Sequence, residues 1–285
     1  RTLSLALAPV IVGSALAWRT GIAPDWPVLA VTLLCAALIQ VGTNLFNDAA
    51  DGERGNDGPE RAGPERLTGS GLASAGAVKR AAWLVFLSAL LLGLVLVWKG
   101  GWPIMVIGLA GLATGWSYSR GPMPLAHTPW GEVVVVVFFG IAAVLGSYLL
   151  QGGTQPLVTL VIGLALGLPA AAVLLINNYR DAIADQATGR RTLALVLGKR
   201  GSHWLNTILL LAPFSLLMLE PGWALMLPCW LALPIALWLS IRLFTPLSAT
   251  ELNRQMQWSV LFHALLALLL TAGLLGPELG HILKP

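Results

Sequence analysis

Apolar runs long enough to cross a bilayer recur along the whole chain, and they constrain its fold more than any other feature. Residues 28–45, 83–97, 133–150, 157–176 and 205–219 are such runs. Each approaches the roughly 20 residues that an α-helix needs to span hydrocarbon. Only 11% of the 285 residues are charged and 56% are hydrophobic, whereas about a quarter of a soluble globule is charged. The period-two alternation of a membrane β-barrel is absent, which leaves helices to satisfy the backbone inside lipid. The sequence predicts an all-α polytopic membrane protein. Residues 3–18 read as a mature helix rather than a signal peptide, because no basic stretch and small-residue cleavage site accompany them.

Nine crossings fit best, at 3–18, 27–50, 78–98, 102–119, 131–150, 156–182, 203–219, 222–243 and 256–275. The seventh is short and holds Pro213, and the eighth is tight. Long polar segments follow the second crossing (51–76) and the sixth (184–202). This threading puts fourteen of the seventeen basic residues on one side and leaves Arg19, Lys99 and Lys284 on the other. The bias predicts a cytoplasmic N-terminus, cytoplasmic polar loops and an external C-terminus. The net charge of +4 is then a topology signal, with no nucleic-acid partner implied. Cys35 and Cys229 both lie in apolar runs and read as packing residues. Most of the twelve tryptophans fall near crossing ends, as interfacial anchors do.

The acids are distributed as unevenly as the bases. Asp25, Glu220 and Glu278 fall on the outer side, and the other ten on the cytoplasmic side. Asn44, Asp48 and Asp51 are spaced i, i+4, i+7, so one helix face carries all three. Asp57 follows Gly55, where a turn would fold it back toward them. Asn177, Asp181 and Asp185 repeat the pattern at i, i+4, i+8. Taken singly, each aspartate is an ordinary interfacial charge. Two matching clusters on one membrane face predict a shared site.

Carboxylates at a helix C-terminus meet an unfavourable dipole and repel one another, so a compensating cation is expected. Magnesium suits such a place, because it takes oxygen ligands and is commonly held by one or two carboxylates together with substrate phosphates. Arg61, Arg66, Arg120, Arg180, Arg190, Arg191 and Lys199 are candidates for the remaining phosphate charge. Channel or transporter carboxylates are the competing explanation. A third stretch, Tyr118-Ser119-Arg120-Gly121-Pro122-Met123-Pro124-Leu125 followed by Gly131-Glu132, falls on the same face. Tyr118 and Ser119 are candidates for hydrogen bonds to an aromatic substrate. A Pro/Gly turn bearing an interfacial tyrosine is the plainer account. His127 lies near enough to be a candidate for proton transfer.

Together these residues resemble the UbiA superfamily of membrane prenyltransferases, and within it the 1,4-dihydroxy-2-naphthoate branch of menaquinone synthesis. The resemblance spans nearly the whole chain. It is carried by Arg1-Thr2-Leu3 with Pro9-Val10, Asn47-Asp48-Ala49-Ala50-Asp51, Gly55-Asn56-Asp57, Arg61-Ala62-Gly63-Pro64-Glu65-Arg66, the Tyr118–Leu125 stretch, Gly131-Glu132, Asn177-Asn178-Tyr179-Arg180-Asp181, Asp185 and Gly189-Arg190-Arg191-Thr192-Leu193. Two departures stand out. Gly55 occupies a place where many relatives carry the motif's last aspartate, and Asp57 takes the shifted position. Ala49-Ala50 replaces residues that are often aromatic, a change expected to enlarge the pocket.

The resemblance implies nine helices around a central cavity in a single domain over residues 1–285, in a bacterial inner membrane. It implies two magnesium ions, one on Asp48 and Asp51 assisted by Asn44 and Asp57, the other on Asp181 and Asp185 with Asn177 nearby. Asp48, Asp51, Asp181, Asp185 and Tyr118 would be the catalytic residues. A polyprenyl diphosphate would ionise at its allylic C–O bond, and dihydroxynaphthoate would attack the cation. Loss of the ring carboxylate and a proton would give a demethylmenaquinone. Another aromatic acceptor (4-hydroxybenzoate, homogentisate or haem) and a cation-coupled transporter are the alternatives.

Overall fold

A computed structural model describes residues 2–54, 66–121, 123–219 and 222–282. Among these residues the regular elements are helices: α1 (Leu3–Trp18), α2 (Trp26–Arg54), α3 (Ala75–Ser117), α4 (Gly131–Leu150), α5 (Val158–Arg180), α6 (Ala182–Ala187), α7 (Leu193–Leu217), α8 (Leu233–Leu243) and α9 (Ala249–Ile282). Six helical segments are long and apolar enough to cross a membrane by length and composition. Helix α3 alone has 43 residues, about 65 Å if straight, which is twice a bilayer core. Gly101 breaks it, with φ 70° and ψ −159°, a conformation that glycine adopts without penalty. Phe86 then packs against Gly115, although a straight helix would hold the two ~44 Å apart. The helix is therefore a hairpin of two limbs, 75–100 and 102–117. Counting both limbs, and excluding the short α6, the described residues form the nine crossings that the apolar runs predict.

Polar residues collect at the two ends. At one, Lys99 Nζ reaches Asp25 Oδ2 at 2.8 Å and Trp18 Nε1 donates to Gln151 Oε1 at 2.9 Å. The other gathers Arg54, Arg66, Arg190 and His127. Trp26, Trp98, Trp102, Trp130 and Trp204 are exposed, as bilayer anchors should be.

Several elements depart from the predicted boundaries, among them α9, which begins seven residues before the expected 256 and ends seven after 275. Helix α7 starts ten residues earlier than expected, because Gly198 (φ 63°) lets a short surface turn join the crossing. The eighth crossing opens with 3₁₀ turns over Trp223–Ala232 before α8. Pro228 and Pro234 supply no N–H to an α ladder there. The second acidic stretch is not one straight face: α5 stops at Arg180, and Asp181 (φ −91°, ψ 5°) joins it to α6, which carries Asp185.

The main core lies between α1, α4, α5, α7, α8 and α9, where Leu16, Tyr148, Leu166, Leu210, Phe262 and Leu270 are buried. A smaller cluster of Phe46, Ala82 and Phe86 joins α2 to α3. Helices α4 and α5 approach through glycines, beside a π-helical turn at Val137–Ala142. A Cβ on Gly163 would stand 2.7 Å from Ile141 Cα and 3.1 Å from its N. Backbone cannot yield as a side chain would, so Gly163→Ala should cost about 1–3 kcal/mol, seen as a lower thermal midpoint in detergent. Gly76→Ala, with only the far end of Arg80 nearby, serves as the control and should cost nothing.

Candidate active site

Helices α1, α2, α4 and α5 and both limbs of α3 line a cavity of about 420 Å³. Asn44, Asn47, Tyr118 and Asn177 give it one polar end. Its opposite end is closed by Cys35, Leu96, Ile104 and Leu150. Position on the helix explains the polar end. Asn44 and Asn47 are i, i+3 neighbours on α2, and Asp48 and Asp51 continue that helix by one turn. Asn177 likewise precedes Asp181 by one turn of α5.

Asp51 and Asp185 come from segments far apart in sequence, yet one guanidinium joins them. Arg190 Nη2 lies 3.0 Å from Asp51 Oδ1, and its Nη1 lies 3.1 Å from Asp185 Oδ1. Arg66 Nη2 takes the second Asp51 oxygen at 2.8 Å. Both carboxylates are buried. Loss of hydration, opposed by Arg190, raises the Asp185 carboxyl to about 6.

Asp48 is turned differently. Its carboxylate accepts from the Leu67 and Thr68 backbone N–H groups at 3.0 and 3.2 Å, and from Thr68 Oγ1 at 2.5 Å. Asp181 is held by Arg180, with Nε on Oδ1 at 2.8 Å and Nη2 on Oδ2 at 2.6 Å. Arg180 also donates to Asn177 Oδ1 at 2.9 Å and Asn253 Oδ1 at 2.6 Å.

Tyr118 stands where α3 ends. Loss of hydration pushes its phenol above its ordinary value; Glu132 and Asp185 add to this, while Arg190 and Arg66 oppose it. It lines the cavity with Asn44 and Asn47 of α2 and Asn177 of α5. Buried Glu132 accepts from Asn178 Nδ2 at 2.9 Å through Oε1, while its Oε2 has no hydrogen-bond partner among the described residues. Arg120 contacts Glu53 Oε2 at 2.5 Å and keeps Nε and Nη2 buried without partners among the described residues. Arg54 donates from Nη1 to His127 Nε2 at 3.2 Å. Desolvation, then Arg190 and Arg54, lower the His127 imidazole to about 4, so it is neutral at physiological pH.

The structure thus joins Asp51, Asp185, Arg66 and Arg190 by ion pairs, and puts Tyr118, Asn44 and Asn177 together on the lining of the cavity. Asp48 and Asp181 point to partners of their own. Among the described residues no three His, Cys, Asp or Glu side chains form a ready ion cage. Arg180 braces α5 and α9 and does not face the first cluster. Arg191 and Lys199 are exposed and make no described side-chain contact with the group. Asp57 and Arg61 lie outside the described residues. Ala49 and Ala50 do not enlarge the pocket, because they are buried away from its lining. Thr68 and Asn253 carry no sequence pattern that marks them as partners, and Asn178 stands in the second acidic stretch without its spacing to Asp181 or Asp185 marking a role. The acid of the Gly131-Glu132 pair, at the first turn of α4, was the one available hint to the Asn178 contact.

A model of the UbiA prenyltransferase family matches residues 6–272. The chain belongs to that family. As a UbiA-family prenyltransferase it is an enzyme and a multi-pass membrane protein. It is 34% identical to 1,4-dihydroxy-2-naphthoate octaprenyltransferase of Escherichia coli (strain K12), covering 76% of this chain and 72% of that protein. The protein of the same name from Mycobacterium leprae (strain TN) is 36% identical, over 74% of this chain and 71% of its own length. Among solved structures, the apo structure of a UbiA homolog from Aeropyrum pernix K1 superposes with TM-score 0.69 at 14% identity, covering 97% of this chain and 98% of that one. A UbiA homolog from Archaeoglobus fulgidus bound to DMAPP and Mg2+ superposes with TM-score 0.63 at 15% identity, covering 93% and 96%. At those identities the two superpositions speak for the shared fold.

Proposed function

We propose that this UbiA-family prenyltransferase moves a polyprenyl group from its diphosphate to 1,4-dihydroxy-2-naphthoate in menaquinone biosynthesis, releasing diphosphate and carbon dioxide. The observation that carries the reading is the junction of Asp51 and Asp185 on Arg190, with Asp51 one helical turn beyond the Asn47 that lines the polar end of an apolar cavity. The acceptor follows from the bacterial relatives, whose names specify it.

The donor set fits a divalent hard cation. Asp51 and Asp185 are buried oxygen donors already facing one positive group, and Asn44 and Asn177 add neutral oxygens beside them. We assign magnesium to Asp48, Asp51 and Asn44 on one side, and to Asp185, Asp181 and Asn177 on the other, with Asp57 joining the first set. Bound there, two magnesium ions would neutralise charge on the departing diphosphate. Arg66, Arg120 and Arg190 would bind its oxygens, and two Arg120 nitrogens have no hydrogen-bond partner among the described residues. The apolar walls would keep water from the allylic cation, and Tyr118 would orient the ring by a hydrogen bond from its protonated phenol. The whole chain acts as one domain in the inner membrane, with the site and the N-terminus on the cytoplasmic side and the C-terminus outside. Membrane lipid and the two substrates are its partners.

The test is direct. Purified protein, magnesium, a polyprenyl diphosphate and dihydroxynaphthoate should yield diphosphate and decarboxylated prenyl-naphthol. Turnover with 4-hydroxybenzoate but none with dihydroxynaphthoate would overturn the acceptor.

A further inference from the structure

Outside the cavity, the hairpin of α8 and α9 carries charges that the proposed reaction does not use. Two contacts fix its register. Gln255 Nε2 donates to the Leu239 carbonyl at 2.7 Å, and the Trp238 and Trp258 rings meet edge to face, with centroids 5.8 Å apart at 84°. Arg242 follows Trp238 by four residues, and Arg254 precedes Trp258 by four. Each arginine therefore stands one helical turn, about 6 Å, from the tryptophan pair, on the same helix face as its own tryptophan. The two helices run antiparallel, so both arginines fall on the side of the connecting residues 244–248. None of these four side chains lines the cavity.

This face is turned outward. Trp238 and Trp258 are 42% and 46% exposed, and Ile241 and Leu261 beside them are more exposed still. Apolar exposure of that kind suits lipid, and tryptophans suit the headgroup level of a bilayer. The tip of the hairpin lies at the end that holds the second acidic stretch, since Asn253 Oδ1 accepts from Arg180 Nη1 at 2.6 Å.

Neither the Arg242 nor the Arg254 guanidinium has an ion-pair or hydrogen-bond partner among the described residues. Arg242 is half-buried because it lies over the Trp238 ring, with Cζ 5.2 Å from the centroid. That seat orients the guanidinium and leaves its N–H groups unused. Glu251, three residues before Arg254, is engaged elsewhere. Its Oε2 accepts from Ser248 N and Oγ, each at 2.8 Å, and its own N–H donates to Ser248 Oγ at 3.3 Å. This is a capping box at the start of α9. The two arginines keep a net positive charge beside an aromatic, lipid-facing wall.

We propose that the α8–α9 hairpin binds the headgroup phosphate of an anionic phospholipid between Arg242 and Arg254, with the acyl chains along Trp238 and Trp258. Guanidinium N–H groups match phosphate oxygens in pairs. A zwitterionic headgroup would instead bring an ammonium to a place already positive. Asn253 adjoins Arg254, so the bound lipid should steady the same end of α9 that Arg180 holds.

The experiment uses the full chain in phosphatidylcholine bilayers that contain a minor fraction of phosphatidylglycerol. Native mass spectrometry after release from the bilayer counts the lipids that stay bound. Wild type should retain phosphatidylglycerol in excess of its share of the bilayer. Arg242→Gln and Arg254→Gln should each weaken that preference about fivefold, the contribution of one basic residue at an anionic surface, and the double variant should lose more than either. Trp238→Leu, which removes the seat of Arg242, should weaken it too. Arg80→Gln, at the start of α3 beside the exposed Trp83, is the control and should leave the preference unchanged. Phosphatidylglycerol should also raise the thermal midpoint of wild type and not that of the double arginine variant. An equal effect of Arg80→Gln would overturn the site, because surface charge alone would then govern retention. So would retention in proportion to bilayer composition, a preference that survives the double variant, or an equal rise in midpoint with inorganic phosphate in place of the lipid.

Discussion

Asp51→Asn and Asp185→Asn should each lower kcat for prenyl transfer by on the order of 10²–10³-fold without unfolding the protein. Both carboxylates are buried and aimed at Arg190, so each change removes negative charge at one defined place. The asparagine variants keep the side-chain shape and still offer an oxygen to the guanidinium. Loss of fold and loss of chemistry can then be separated, the first by thermal midpoint and elution in detergent, the second by diphosphate release at saturating magnesium. Asp48→Ala should likewise abolish turnover. It also frees the Leu67 and Thr68 N–H groups that the carboxylate now accepts from, so its midpoint should fall as well. Retention of wild-type turnover by Asp51→Asn and Asp185→Asn would remove both residues from the proposed metal and diphosphate site.

Arg180 governs stability more than chemistry. Its side chain is 2% exposed and spends its donors on Asp181, Asn177 and Asn253, tying the end of α5 to the start of α9. Arg180→Met leaves the Asp181 carboxylate and two amide oxygens without that partner. A hydrogen bond to a charged group is worth about 1.5–3 kcal/mol. Because the Asp181 side chain is 24% exposed and can be rehydrated, a loss of about 1–3 kcal/mol is expected here, read from denaturation in detergent. Arg180→Met combined with Asp181→Asn should regain much of the loss, since no unpaired charge then remains. A single variant as stable as wild type would show that the four contacts carry no net energy. The double variant should regain stability without regaining activity, since Asp181 is assigned to the site.

The crossings were legible because hydropathy acts over some twenty residues at once, and the lipid tolerates few exceptions. Even the α3 hairpin could be read, since Lys99-Gly100-Gly101 interrupts the apolar run where the chain turns. The acidic segments were legible from spacing. Their detailed roles were not, because spacing says which helix face a side chain occupies and nothing about which neighbour reaches it first. Asp181 pairs with the residue beside it in sequence, and Asp48 is taken by a loop nineteen and twenty residues downstream. Ala49 and Ala50 failed for a geometric reason. At about 100° per residue Ala49 falls opposite the face that Asn44 and Asn47 present to the cavity, and Ala50 falls on its flank. The 3₁₀ entry to α8 was within reach, since two prolines mark it, but an apolar count gives prolines no weight.

The cavity is polar at one end and hydrocarbon-like along its length, so its two reactants are supplied from phases with different units of concentration. The ring and the metal arrive from water and are counted in moles per litre. The tail arrives from the membrane and is counted as a mole fraction of lipid. Diluting the enzyme into more bilayer at constant bulk substrate should therefore slow turnover as if substrate had been withdrawn. A Michaelis constant for the prenyl donor has meaning only when the lipid content is stated with it.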